Sequence, residues 1–172
     1  MSHDPTAASQ DAPLRLSVNG EDRAVALDPR LTLLELVREG LGLTGTHLGC
    51  QTGDCGACTV ALDDRSVKSC MVLAGSVDGA ALTTIEGFAG GSAPVEGAEQ
   101  LDVVQESFWD EYGFQCGFCL PGMLFATREL LATNADPTDE EIRAALVGNL
   151  CRCTGYHNIV RAVREAAARM RA

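Results

Sequence analysis

The sequence predicts an α+β protein, with a small mixed domain of strands and one helix followed by a second domain of four helices. Three observations carry this reading. Two alternating apolar runs flank Asn19-Gly20, the pattern changes from strand to helix periodicity beyond a glycine-rich stretch near residue 90, and eight cysteines divide into one quartet per half. At 172 residues the chain suits one medium domain or two small ones.

Residues 1–12 are small and polar and read as a disordered tail. Leu14, Leu16 and Val18, then Val25 and Leu27, alternate on either side of Asn19-Gly20, a strong hairpin signal because both residues tolerate positive φ. Leu31, Leu34, Leu36 and Val37 fit a short amphipathic helix, with Thr32 near its start and Gly40 after its end. Residues 42–58 hold five glycines and read as a loop that wraps around something. Strands are expected at Thr59–Leu62, Ser66–Ser69 and Ala81–Ile85, which completes a first domain over residues 13–87.

Gly87 to Pro94 gives the clearest linker signal, and residues 88–98 are assigned to it. Helices follow over residues 99–172. Leu101, Val104 and Phe108 share a face; Pro121 opens a run to Asn134; Thr138 and Glu141 form a capping box ahead of Ile142, Leu146 and Leu150; and a last helix starts near Asn158. Four helices suggest a small bundle.

The cysteines carry the chemistry. Cys50, Cys55, Cys58 and Cys70 follow the spacing C(x)4C(x)2C with a fourth cysteine after eleven intervening residues, as in the ligand run of plant-type ferredoxins. Cys116, Cys119, Cys151 and Cys153 form CxxC, a gap of 31 residues, then CxC. Either quartet can supply the four thiolates of a 2Fe-2S cluster, and the glycines around them let backbone N–H groups approach an anionic centre. Structural zinc usually takes paired short spacings, which the first quartet lacks, whereas the second on its own would also suit zinc. Rieske ligation needs two histidines, and His47 is the only one near the first quartet. Arg152, between two cysteines, either offsets cluster charge or is simply solvated. Trp109, Tyr112 and Tyr156 read as core or interface aromatics, and His157 as a structural hydrogen bonder.

Composition excludes other classes. A formal charge of −11 disfavours nucleic acid, and no apolar run approaches the roughly 20 residues of a membrane span. The first residues contain neither an apolar run nor a twin-arginine pair, so the expected compartment is the cytoplasm, where thiols ligate metals rather than pair as disulfides. No Ser-His-Asp set, HExxH, phosphate loop or dinucleotide fingerprint occurs, so no catalytic residue is assigned.

Gly49-Cys50 through Cys58-Thr59-Val60, Gln115-Cys116-Gly117-Phe118-Cys119 with Pro121-Gly122, and Gly148-Asn149-Leu150-Cys151-Arg152-Cys153-Thr154-Gly155-Tyr156 together resemble the iron-sulfur small subunit of molybdenum hydroxylases. That family includes xanthine dehydrogenase, aldehyde oxidoreductases and aerobic carbon monoxide dehydrogenase. The resemblance covers residues 14–168; Leu120 departs from it, standing where many relatives have threonine. It implies a plant-ferredoxin-like β-grasp domain followed by a four-helix bundle domain, each with one 2Fe-2S cluster. It also implies an oxidoreductase complex whose large subunit holds a molybdopterin cofactor and the substrate, with FAD in a further subunit. Gln115 and Cys153 are then pterin-side contacts, and electrons run from pterin to the second quartet, the first quartet and the flavin or another acceptor. The alternative is a stand-alone two-cluster ferredoxin-type carrier.

Overall fold

The structure is a computed structural model that describes residues 13–26, 28–89 and 101–172. The expected tail, Leu27 and most of the expected linker lie outside the described residues. Asn19 (φ 53°) and Gly20 (φ 85°) both turn left-handed, as a two-residue hairpin requires, and join β1 (Leu14–Val18) to an antiparallel β2 (Glu21–Val25). A second tight hairpin joins β3 (Thr59–Leu62) to β4 (Arg65–Lys68). Its turn is Asp63-Asp64, both at positive φ without a glycine, and Asp63 Oδ1 accepts from the Ala81 amide at 2.9 Å. Aspartate is among the few residues that tolerate this conformation.

β5 (Ala81–Thr83) lies centrally, parallel to β1 and antiparallel to β3, which gives the order β2-β1-β5-β3-β4. The inward residues Leu14, Leu16, Val18, Val60 and Leu82 pack against Leu33, Leu36 and Val37. Those three belong to α1 (Leu33–Glu35) and the π-helical turn Leu36–Gly40 that continues it. A Thr32/Glu35 capping box starts the helix. Gly40 falls within the final turn instead of beyond it. A Cβ there would come within 3.0 Å of Leu36 Cδ1, so glycine lets the wider turn close. The strands expected to reach Ser69 and Ile85 stop at Lys68 and Thr83, because both chains tighten into 3-10 turns.

Four further helices follow, α2 (Val103–Asp110), α3 (Leu120–Thr133), α4 (Asp139–Ala145) and α5 (His157–Arg171). Capping boxes at Asp102/Gln105 and Thr138/Glu141 start α2 and α4. Phe108, Met123, Phe125, Ile142, Ile159 and Val163 fill a shared core. Two expectations need correction. Phe88, assigned to the linker, is buried in this helical core, edge-on to Phe125 and under the Arg128 guanidinium. Leu150, assigned to the apolar face of α4, lies beyond that helix and is 57% exposed, because the chain turns at Leu146 to form the second cysteine loop. Among the described residues, no helix is long and apolar enough to cross a membrane.

The sheet and the helices meet without room to spare. A Cβ on Gly122 of α3 would stand 2.1 Å from the Gly56 carbonyl oxygen, and one on Gly56 (φ 74°) 2.2 Å from Asn149 Oδ1. Lys68 Nζ, at the end of β4, donates to Thr59 Oγ1 (3.1 Å) and the Gly148 carbonyl (2.8 Å). Alanine in place of a helical glycine normally gains about 1 kcal/mol, but at Gly122 the clash is with backbone and outweighs it. Gly122→Ala is expected to destabilise the protein by about 2 kcal/mol. Gly148→Ala, whose Cβ would meet only the flexible Lys68 side chain at 3.4 Å, should be far milder. Calorimetric unfolding of both variants checks the contrast.

Candidate metal centres

The first quartet's loop is shaped by glycine. In residues 42–58, Arg38 Nη1 holds the loop by donating to the carbonyls of Thr44 (2.9 Å) and Thr46 (2.7 Å). The amides of Thr52 and Cys55 then turn inward on Cys50 Sγ, each at 3.4 Å. Hydrogen bonds from Thr52 and Cys55 pull the Cys50 thiol down to about 6, so it ionises readily. Cys58 and Cys70 are buried together with Leu34, and burial, reinforced by the Cys58 thiol, pushes Cys70 up to about 11. Gly49 keeps the approach to Cys55 open, since a Cβ there would lie 2.6 Å from its sulfur.

The second quartet is assembled from the turn before α3 and the loop between α4 and α5. Cys116 and Cys153 are exposed, with their sulfurs 3.5 Å apart. The Phe118 amide lowers the pKa of Cys116, and Cys116 in turn raises that of Cys153. Cys119 is buried at the head of α3, and burial with its neighbour Cys151 pushes it up to about 12. At Cys151 burial acts upward, but Thr154 outweighs it through its hydroxyl (3.1 Å) and amide (3.5 Å). Tyr156 fixes the same residue from behind: its hydroxyl accepts from the Cys151 amide at 2.9 Å and donates to the Asn149 carbonyl at 3.1 Å.

The thiols therefore stand in pairs, Cys50 with Cys55, Cys58 with Cys70, Cys116 with Cys153, and Cys119 with Cys151. Among the described residues, no three His, Cys, Asp or Glu side chains gather as a single-ion site would require. Two thiolate pairs per quartet suit a binuclear centre, and the inward amides and glycine cradles suit one that carries negative charge. The residues present fit a 2Fe-2S cluster in each quartet. The two sites also communicate through one short backbone link, the Leu150 amide donating to the Cys55 carbonyl at 2.8 Å, one residue before Cys151.

The structure places Cys58 with Cys70 in one buried cluster, Cys116 beside Cys153, and the Cys55 amide against Cys50. Gln115 is exposed beside Cys116, on the side of the second quartet where Cys153 also reaches the surface. Arg152 is exposed. Trp109 and Tyr112 are 64% and 76% exposed, so the core reading fails for both. Sequence reasoning missed Lys68, Asn149 and the hydrogen-bonding role of Tyr156. Their partners lie in loops that only the fold brings close, although Asn149 and Tyr156 do flank the CxC motif.

Comparison with known proteins agrees with this geometry. Residues 16–83 match the family described as 2Fe-2S iron-sulfur cluster binding domain, and residues 84–164 match the [2Fe-2S] binding domain family. The nicotinate dehydrogenase small FeS subunit of Eubacterium barkeri is 44% identical over 156 residues, covering 91% of this chain and 95% of that protein. The nicotine 6-hydroxylase small subunit of Paenarthrobacter nicotinovorans is 46% identical over 151 residues, covering 88% and 87%. Among solved structures, quinoline 2-oxidoreductase from Pseudomonas putida 86 superposes with a TM-score of 0.85 at 39% identity, covering 95% of this chain and 98% of that one. With both halves matched and such relatives similar along nearly their whole length, the chain belongs to the family of iron-sulfur small subunits of molybdenum hydroxylases.

Proposed function

We propose that this chain is the electron-transfer subunit of a molybdenum-containing hydroxylase or dehydrogenase, passing electrons from a molybdopterin centre through two 2Fe-2S clusters to a flavin subunit or another acceptor. Cys50, Cys55, Cys58 and Cys70 hold the first cluster, and Cys116, Cys119, Cys151 and Cys153 the second. A bound 2Fe-2S cluster supplies one-electron redox chemistry at cysteine thiolates. The remaining work is done by the chain itself. Thr52, Cys55, Phe118 and Thr154 aim amides at sulfur, which offsets the charge added on reduction. Leu34 and the α3 core keep water from the inner thiols.

Residues 13–87 form the ferredoxin-like β-grasp domain, and α2 to α5 form a four-helix bundle to whose core Phe88 belongs. Gln115 and Cys153 form the pterin-side edge, where a large molybdopterin-binding subunit docks. An FAD-binding subunit takes electrons on the side of the first quartet, and the complex works in the cytoplasm. The observation that carries this reading is the pairing of eight thiols into two separate centres joined by the Cys55–Leu150 hydrogen bond.

The native protein is expected to co-purify with a large molybdenum protein and to carry four irons and four acid-labile sulfides per chain. Partial reduction should produce two distinguishable paramagnetic 2Fe-2S signals. Metal analysis with electron paramagnetic resonance checks this. Stoichiometric zinc, or only two irons, would contradict the ligand assignment, and recovery of the whole pool as a free, active monomer would favour a stand-alone ferredoxin.

A further inference from the structure

We infer that His47 is a positioning residue for the second quartet, reaching over from the first cysteine loop to fix the peptide groups that face Cys116 and Cys119. The inference rests on the proposal that this quartet holds a 2Fe-2S cluster. Phe118 lies between the two cysteines. Its own amide and the next one, that of Cys119, favour the thiolates of Cys116 and Cys119 respectively. The carbonyl sharing a peptide group with that second amide is Phe118 O, and His47 Nδ1 lies 2.8 Å from it. A carbonyl oxygen can only accept, so Nδ1 bears the proton in this contact. The imidazole also stacks on the Phe118 ring, with centroids 4.8 Å apart and planes 12° from parallel.

His47 therefore grips one dipeptide twice, by its carbonyl and by its ring. The grip is needed because Phe118 is 47% exposed and follows Gly117, which sits at φ 79°, where the backbone swings most freely. His47 is itself held, its amide donating to the Ala57 carbonyl at 3.2 Å, while Arg38 anchors the Thr46 carbonyl just before it. Thus a residue of one cysteine loop determines how amide dipoles meet the sulfurs of the other. Amides directed at sulfur stabilise the more negative, reduced state and raise the reduction potential. Releasing the Phe118–Cys119 peptide should lower the potential of the second centre and leave the first unchanged.

The test is a redox titration of the intact complex, with each cluster followed by its own paramagnetic signal, for His47→Ala, His47→Phe and His47→Gln. Phenylalanine keeps a flat ring without a donor, and glutamine keeps a donor without the ring. The midpoint of the second cluster should fall in His47→Ala and His47→Phe and recover most of the way in His47→Gln, with the first cluster's midpoint constant throughout. An unchanged second midpoint in both the alanine and phenylalanine variants would overturn the inference, as would equal shifts of both clusters, which would make His47 a general brace between the two halves. Iron analysis of the wild-type complex distinguishes this failure from failure of the ligand assignment, since a second quartet without iron has no signal to follow.

Discussion

Everything in this chain depends on the contact between two backbone turns, the Gly56 turn of the first cysteine loop and the Gly148-Asn149 turn of the second. The Cβ positions of Gly56 and Gly122 are forbidden by carbonyl and amide oxygens at 2.1–2.3 Å, so only glycine lets the loops close on each other. Closing them buries Asn149 and half-buries Lys68, polar groups that must then be hydrogen-bonded. Lys68 reaches Thr59 Oγ1 and the Gly148 carbonyl, and the Thr59 hydroxyl in turn donates to the Gly56 carbonyl at 2.7 Å. Burial depresses the pKa of Lys68, against the pull of the thiols of Cys58, Cys55 and Cys70 on one side. The same closure sets the Leu150 amide on the Cys55 carbonyl. Docking of the two halves and proximity of the two cysteine sets are one structural event.

Each quartet combines buried and more accessible thiols. Cys58 and Cys70 are buried, as is Cys119, whereas Cys50 and Cys55 are partly accessible and Cys116 and Cys153 are exposed. Burial raises the thiols of Cys70 and Cys119, while hydrogen bonds lower Cys50 and Cys116. Cys50 and Cys116 are thus the better first ligands for an arriving metal, and Cys70 and Cys119 lose their protons only when a cation replaces them. A relay needs such an arrangement, with one side of each centre near a surface and the other insulated from water.

Much of this was legible in the residues themselves. Asn19-Gly20 specified its turn because a two-residue hairpin demands positive φ at both positions, and the Thr138/Glu141 box marked the start of α4. The cysteine spacings pointed to two 2Fe-2S binding halves, which the two matched domain families bear out, since loop ligation leaves its pattern in local sequence. Asp63-Asp64 escaped notice because aspartate is a weaker turn signal than glycine. Phe88 was hidden by its glycine-rich neighbours, although it packs under Arg128, forty residues away. Leu150 continued the helical period of α4, but the turn at Leu146 took it to the cysteine loop. The roles of Lys68, Asn149, Tyr156 and His47 depend on partners supplied by tertiary contact, which periodicity does not encode.

The central claim is that electrons enter at the second quartet and cross this contact to the first. Rapid mixing of substrate with intact complexes carrying Cys58→Ser or Cys119→Ser, followed by freeze-quenched spectra of each centre, tests it most directly. In the Cys58→Ser complex the second quartet's cluster should still reduce quickly while the downstream flavin does not. In the Cys119→Ser complex neither the first quartet's cluster nor the flavin should reduce quickly. Normal reduction of the first cluster in Cys119→Ser, together with a block at the second in Cys58→Ser, would contradict the account and reverse the direction of flow.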